Sequence, residues 1–396
     1  MSKLDSSAEL VKIGQLLGVN ASELAFMEQL PLASLIQIRS LTTDKLFNDG
    51  RKLFQKLASA SKLLPTGLTA SMGEKIFGPM LCARIASEMP YQRAVELAMK
   101  MSVPFLAQVT LELDPRRVKD IIQNVPVDKM RQIARELLAQ KHYIVMGGFV
   151  GFMKPENLRI ILNDVTTEEA LLHIGFFVEG KHQLSDIMRL LPKERLNKLI
   201  SYVQTHEDLW PEALALMMHL DGDLKRELGD LAAERDESVL DNLVKTVHKL
   251  ALWQDALPLF LAMSPSTQYQ LVNVASLKNH AIIQEVVEYS ARFELWANLL
   301  PLVEFMSIEQ RQLLAQVIVE QGVEQSAKLT VIAQHHHLWQ PLLDIFAAMT
   351  PDAQKNSAAA LQHLLGQDAA LRSKLQPLLE QRELSHLLGA VDVSHR

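Results

Sequence analysis

Leu295-Trp-Ala-Asn-Leu-Leu-Pro-Leu-Val-Glu-Phe-Met306 is one copy of a phrase that recurs four times along the chain. Its tryptophans, Trp210, Trp253, Trp296 and Trp339, each stand 43 residues after the last, and the chain has no others. Leucine precedes every one (Leu209, Leu252, Leu295, Leu338), and leucine recurs four residues beyond (Leu214, Leu257, Leu300, Leu343). Ten residues beyond stand Leu220, Met263, Met306 and Met349. Apolar positions at the tryptophan and at three, four, seven and ten residues past it follow the 3.6-residue period of a helix. A fixed repeat of this length in helix-forming sequence predicts stacked helical units, each burying its apolar face on its neighbours.

From about residue 205 the unit divides into three helices. The first begins after Ser264-Pro265, Ser307-Ile308 or Thr350-Pro351, with the hydroxyl placed as N-cap, and carries Leu228, Leu271 and Leu314 in register. The second carries Leu243, Val286 and Leu329, and the third is the Leu-Trp helix. Three short helices per unit is the armadillo or HEAT size class. The expected fold is therefore all-α, a right-handed superhelical α-solenoid, with the tryptophan rings as core between repeats. Between residues 89 and 192 the unit persists less regularly, with Tyr143 in the tryptophan slot ten residues before Met153. Residues 62–365 read as repeats. Residues 1–61 read as an N-terminal helical cap with one amphipathic helix over Asp44 to Ala60. Residues 63–89 read as a loop followed by a short helix from Pro79, where proline fits a first turn, or else as a hinge or hydrophobic contact surface. Residues 366–396 read as a C-terminal capping helix, frayed from Val391 to Arg396.

Leu113-Asp-Pro-Arg-Arg-Val-Lys-Asp-Ile-Ile and Leu191-Pro-Lys-Glu-Arg-Leu-Asn-Lys-Leu-Ile share a phrasing: an apolar residue, proline, charges, then paired aliphatics. Over residues 85 to 205 this resembles the superhelical cytosolic N domain of MgtE-type magnesium transporters, and through it the armadillo-like domains of the flagellar switch protein FliG. The resemblance implies a regulatory helical superhelix, and a ligand-sensing role for Mg²⁺ as a third functional reading. No CBS-like α/β segment or transmembrane bundle follows, so no acidic metal-site residue is carried over.

Net charge of -6 argues against a nucleic-acid binder with a global basic field. One cysteine, Cys82, leaves no disulfide framework or cysteine zinc cluster, which fits a reducing, cytoplasmic setting. No P-loop, Gly-x-Gly-x-x-Gly, nucleophile elbow or His-Glu-x-x-His motif occurs, so neither enzyme activity nor a cofactor or metal is expected. His335, His336 and His337 are consecutive, and consecutive helical residues point in different directions, which reads as structural or exposed histidine. The basic stretch from Arg116 to His142 is interleaved with carboxylates. It reads as a solvated face, or else as a docking patch for an acidic partner or anionic headgroups.

The most informative stretch for function is Tyr143-Ile-Val-Met-Gly-Gly-Phe-Val-Gly-Phe-Met153, apolar on every face, with Leu171 to Val178 similar. A helix apolar all round is wholly buried or offers a surface to something. Two readings stand: a central buried helix, or a hydrophobic groove for a partner helix or acyl chain. The glycines weaken the helix and suggest close approach by a neighbour or ligand. The candidate residues there are Gly148, Gly151, Phe152, Phe176 and Phe177. On the Leu-Trp helices Met218, Leu261 and Phe305 occupy positions that vary between repeats and would line a concave, protein-binding surface. The function expected first is a binding scaffold for protein partners. A lipid-handling or peripheral membrane protein comes second.

Overall fold

The computed structural model describes residues 3–235 and 237–388, so the expectation for Val391 to Arg396 lies outside the described residues. Helix is the only regular structure among them, and the chain divides into two compact units, Met1–Asp221 and Gly222–Arg396.

The first unit runs α1 (Lys3–Leu17), α2 (Leu32–Asn48), α3 (Arg51–Ala60), α4 (Thr66–Met72), α5 (Gly78–Ala86), α6 (Tyr91–Lys100), α7 (Val103–Leu111) and α8 (Lys119–Asn124). It continues with α9 (Val127–Ala139), α10 (Tyr143–Val150), α11 (Pro155–Leu162), α12 (Glu168–Phe176), α13 (Leu184–Met188), α14 (Lys193–Thr205) and α15 (Trp210–Met218). Proline punctuates these starts. Pro31, Pro65, Pro90, Pro126 and Pro192 sit at the N-cap, while Pro79, Pro104 and Pro155 lie in the first turn, where a missing N–H leaves no bond unmade.

Two local expectations need correcting. The single helix over Asp44 to Ala60 is two helices, because Gly50 adopts a left-handed φ of 71° between α2 and α3. The stretch after Leu63 is helical from Thr66, well before Pro79, and passes through a π turn over Gly73–Phe77 into α5. Gly73 acts there as a packing position, not a breaker: a Cβ on it would meet Met101 Cε at 2.8 Å.

The helices of this unit pack in a circuit. From α3 the contacts run through α5, α7, α9, α10 and α12 to α15, and α15 packs on α1, which packs on α2. Side chains close the circuit: Asp5 meets His219 at 2.9 Å, and Arg117 on the far side reaches Asp44 of α2 at 2.9 Å.

The second unit is a succession of helices that can be taken in threes. Its three-helix sets are α16 (Gly222–Ala233), α17 (Glu237–Leu250) and α18 (Trp253–Ala262), then α19 (Pro265–Val272), α20 (His280–Arg292) and α21 (Trp296–Val303). α22 (Ile308–Glu320), α23 (Val323–His336) and α24 (Trp339–Ala348) follow, and α25 (Pro351–Ser357), α26 (Ala359–Gln367) and α27 (Ala369–Gln381) complete it. Each tryptophan helix begins at its tryptophan, and Trp253, Trp296 and Trp339 are buried, as is Trp210 in the first unit. Ser264, Ser307 and Thr350 cap the following helices, their hydroxyls accepting from the backbone three residues on.

Backbone geometry recurs with the sequence. Ala251, Glu294 and His337, each two residues before a tryptophan, have φ of 53°, 57° and 58°. Each ends its helix with the next residue's N–H bonding back to the carbonyl five residues earlier, at 2.9 Å, in Leu252, Leu295 and Leu338. Lys141, two before Tyr143, has φ of 58°, and His142 N–H bonds to Leu137 O at 2.9 Å. Tyr143 thus follows the same turn that precedes Trp253, Trp296 and Trp339.

Candidate ligand cavity

Ten successive helices, α3 to α12, each lend at least one apolar side chain to a cavity of about 400 Å³ in the first unit. Its wall is chemically uniform. The hydroxyls of Ser61, Thr69 and Thr110 donate to carbonyls three or four residues back in their own chain, at 2.7, 3.1 and 2.8 Å. A water needs two to four polar partners, and the donors of these hydroxyls are already engaged. Burial, and then the charge of Glu74, pushes the Cys82 thiol up to about 11, so it stays neutral and non-nucleophilic at physiological pH. Six methionines line the wall: Met72, Met89, Met101, Met130, Met146 and Met153. Their flexible, polarisable thioethers fit an occupant of variable shape.

The two apolar runs meet near this cavity by backbone contact. A Cβ on Gly147 would stand 2.7 Å from Ile174 O and 2.8 Å from Phe177 C, so α10 lies directly on the end of α12. Gly151 makes the same approach to Glu179 O, at 2.7 Å, whereas Gly148 has only Pro115 Cγ at 3.9 Å. Phe152 is half-buried against Val118, Ile122 and Phe149. Phe176 and Phe177 are buried and meet edge to face with centroids 5.0 Å apart. The cavity wall takes their neighbours instead: Met146, Phe149, Val150, Met153 and Ile174. Met218 is half-buried at the end of α15, and Leu261 is half-buried near the end of α18. Phe305 follows α21, and its carbonyl accepts from Asn273 at 2.8 Å. Other varying positions of the tryptophan helices hold internal pairs, such as Asp344 with Arg382 at 2.7 Å and His173 with Glu212 at 3.6 Å.

The basic stretch is similarly engaged. Arg131 and Arg135 reach Asp164 at 2.7 and 2.8 Å and hold its carboxyl down at about 2. Arg116 and Arg117 lie on Asp114 and Asp44. His335, His336 and His337 are exposed. Among the described residues no cluster of three acidic, histidine or cysteine side chains could hold a metal ion, and no helix is long and apolar enough to cross a membrane.

Sequence reasoning missed a charged cluster that joins α1 and α2 to the chain after α12. Glu9, Lys12, Arg39 and Glu179 form a closed set: Lys12 Nζ lies 3.0 Å from both carboxylates, and Arg39 lies 2.7 Å from Glu9 and 3.0 Å from Glu179. Lys181 Nζ donates to Phe176 O at 2.5 Å, and burial pushes its ammonium down to about 8. The only signal was the spacing of Asp5, Glu9 and Lys12 along one side of α1, which reads equally as a solvated stripe.

No family model, curated protein or solved structure matches the chain.

Proposed function

We propose that the first unit binds a long apolar chain, of the fatty acyl class, inside the cavity framed by α3 to α12. One observation carries this: about 400 Å³ of space whose lining hydroxyls are satisfied within their own helices. That volume lies in the range of small-molecule sites. An aliphatic chain fills it without asking for a polar partner. The lone, neutral Cys82 suits a reducing, cytoplasmic setting for such a carrier.

Native mass spectrometry of the purified protein, before and after solvent extraction, tests the reading. We expect an adduct in the mass range of a fatty acid or lipid, lost on extraction and absent from Ala134→Trp, which puts an indole into the cavity. A mass matching the bare 44.5 kDa chain in every preparation, together with no uptake of added oleate, removes the proposal.

A second reading concerns the Gly222–Arg396 unit, and the recurrence of φ, caps and tryptophans at 43-residue intervals favours it. This is a right-handed, armadillo-like solenoid that presents Leu261 and Phe305 to a protein partner. Pull-down with Leu261→Glu and Phe305→Glu variants tests it, and a partner retained undiminished by both counts against it.

A further inference from the structure

Among the described residues, fifteen of the nineteen large apolar side chains that stand exposed lie between Leu17 and Met99, in the first quarter of the chain. From α3 to the start of α5 they are Leu53, Leu63, Leu64, Leu68, Ile76 and Met80, with Leu63 86% and Ile76 70% exposed. Single exposed leucines are ordinary, but six within 28 residues are not.

The charge of the same segment is equally one-sided. From Gly50 to Ser87 there are six basic residues and one acid, Glu74, in a chain whose net charge is -6. Glu74 is engaged, accepting the Ser102 N–H at 2.5 Å. Lys52, Lys56, Lys62 and Lys75 are exposed. The carboxylate of Glu88 reaches this segment but is covered by Arg51 at 2.7 Å, so exposed aliphatics stand among exposed lysines, the chemistry of an element that lies in the interface of an anionic bilayer.

We infer that residues 51–80 are a docking face for an anionic lipid bilayer, with Leu63, Leu68 and Ile76 entering the headgroup–acyl boundary and Lys52, Lys56 and Lys62 on the phosphates. Continuity with the cavity supports this occupant. Leu57, Ala60, Leu64, Met72 and Phe77 belong to the same segment and line the cavity, and Ala60 and Leu64 are also exposed. The cavity wall therefore reaches the surface on the docking face, where a chain could pass from bilayer to interior. Charge disfavours a second copy of this chain: a two-fold contact would set lysines against lysines. The inference goes beyond the cavity reading and does not require it, because vesicle binding can occur with nothing inside the cavity.

Co-sedimentation of the full chain with vesicles tests it, using phosphatidylcholine alone and phosphatidylcholine mixed with phosphatidylserine. We expect binding to the mixed vesicles only, weakening with salt. Neutralising each of Lys52, Lys56 and Lys62 to Gln should lower the partition roughly fivefold per residue. Leu63→Glu with Ile76→Glu should abolish binding, and since both sites are solvent-exposed the variants should keep the wild-type circular dichroism and melting temperature. No binding to mixed vesicles overturns the inference, as does binding that the variants leave intact. A chain that doubles its mass in solution, and becomes monomeric in the Leu63→Glu/Ile76→Glu variant, assigns the face to self-association instead. Co-purified lipid is read separately by mass spectrometry, so failure of the docking face and failure of the cavity reading are told apart.

Discussion

Gly147 and Gly148 are adjacent, yet their surroundings predict opposite responses to the same substitution. A methyl on Gly147 would meet the backbone of Ile174 and Phe177 at 2.7 and 2.8 Å, and backbone cannot step aside as a side-chain tip can. Gly147→Ala should destabilise by about 1–3 kcal/mol through overpacking. Gly148→Ala meets only Pro115 Cγ at 3.9 Å and should stabilise by up to ~1 kcal/mol through helix propensity. Urea denaturation of the pair decides this, and equal shifts would contradict the packing argument. The sequence showed that these glycines were costly to the helix, but not which one touches a neighbour. That depends on the crossing of α10 and α12, a distance that no spacing rule contains. Lys181 makes a second residue-scale case. Its ammonium falls from 10.5 to about 8 in the folded chain. Between those pH values the unfolded chain binds the extra proton, so stability should rise with pH across that window. Relative to Lys181→Met, the wild type should gain on the order of 3 kcal/mol from pH 8 to 10.5, and parallel curves would exclude the shift.

At the scale of the element, the repeat is a backbone motif as much as a hydrophobic pattern. Ala251, Glu294 and His337 carry a Cβ in the left-handed region, which strains each helix end. Replacing Ala251 or Glu294 with glycine should raise stability by about 1 kcal/mol each, additively, since the sites lie in different repeats. Thermal melts of the single and double variants test this; a loss in both singles would mean that the entropy of the unfolded chain outweighs the strain. A second element-scale device is a back-reaching side chain at matched positions. Gln268 donates to Leu261 O and Met263 O, Arg311 to Val303 O and Glu304 O, and Gln354 to Phe346 O and Met349 O. Each satisfies carbonyls at the end of the preceding tryptophan helix. Gln354→Leu should cost about 1–3 kcal/mol by taking the side-chain donor from Met349 O, while Phe346 O keeps the Met349 N–H at 3.1 Å. The tryptophan helices and their caps were legible because one apolar period and one hydroxyl position repeat. The left-handed residues were not, because alanine, glutamate and histidine there carry no glycine signal.

At the scale of the whole molecule, the first unit joins a closed helical circuit to an apolar interior. The sequence announced apolar excess at 143–178, but the cavity draws on ten helices, and its wall residues are ordinary core positions within each one. Only their arrangement leaves space, so the volume had no local signature. Closure depends on the N-terminal helix: Glu9, Lys12, Arg39 and Glu179 hold α1 and α2 to the chain beyond α12, with Lys12 only 8% exposed. Removing one partner of such a buried set leaves an uncompensated charge, so Lys12→Met should destabilise by about 3–5 kcal/mol. If an acyl chain fills the cavity, the unit's stability is linked to that ligand, and solvent extraction should lower the melting temperature of the wild type. Ala134→Phe tests the linkage from inside. In a filled core the added ring would overpack and cost about 1–3 kcal/mol. Facing open space it should raise the melting temperature of the extracted protein and make it insensitive to added fatty acid. An extracted wild type that melts unchanged, alongside an Ala134→Phe variant that melts lower in both states, would mean that the cavity tolerates being unfilled and is no ligand site.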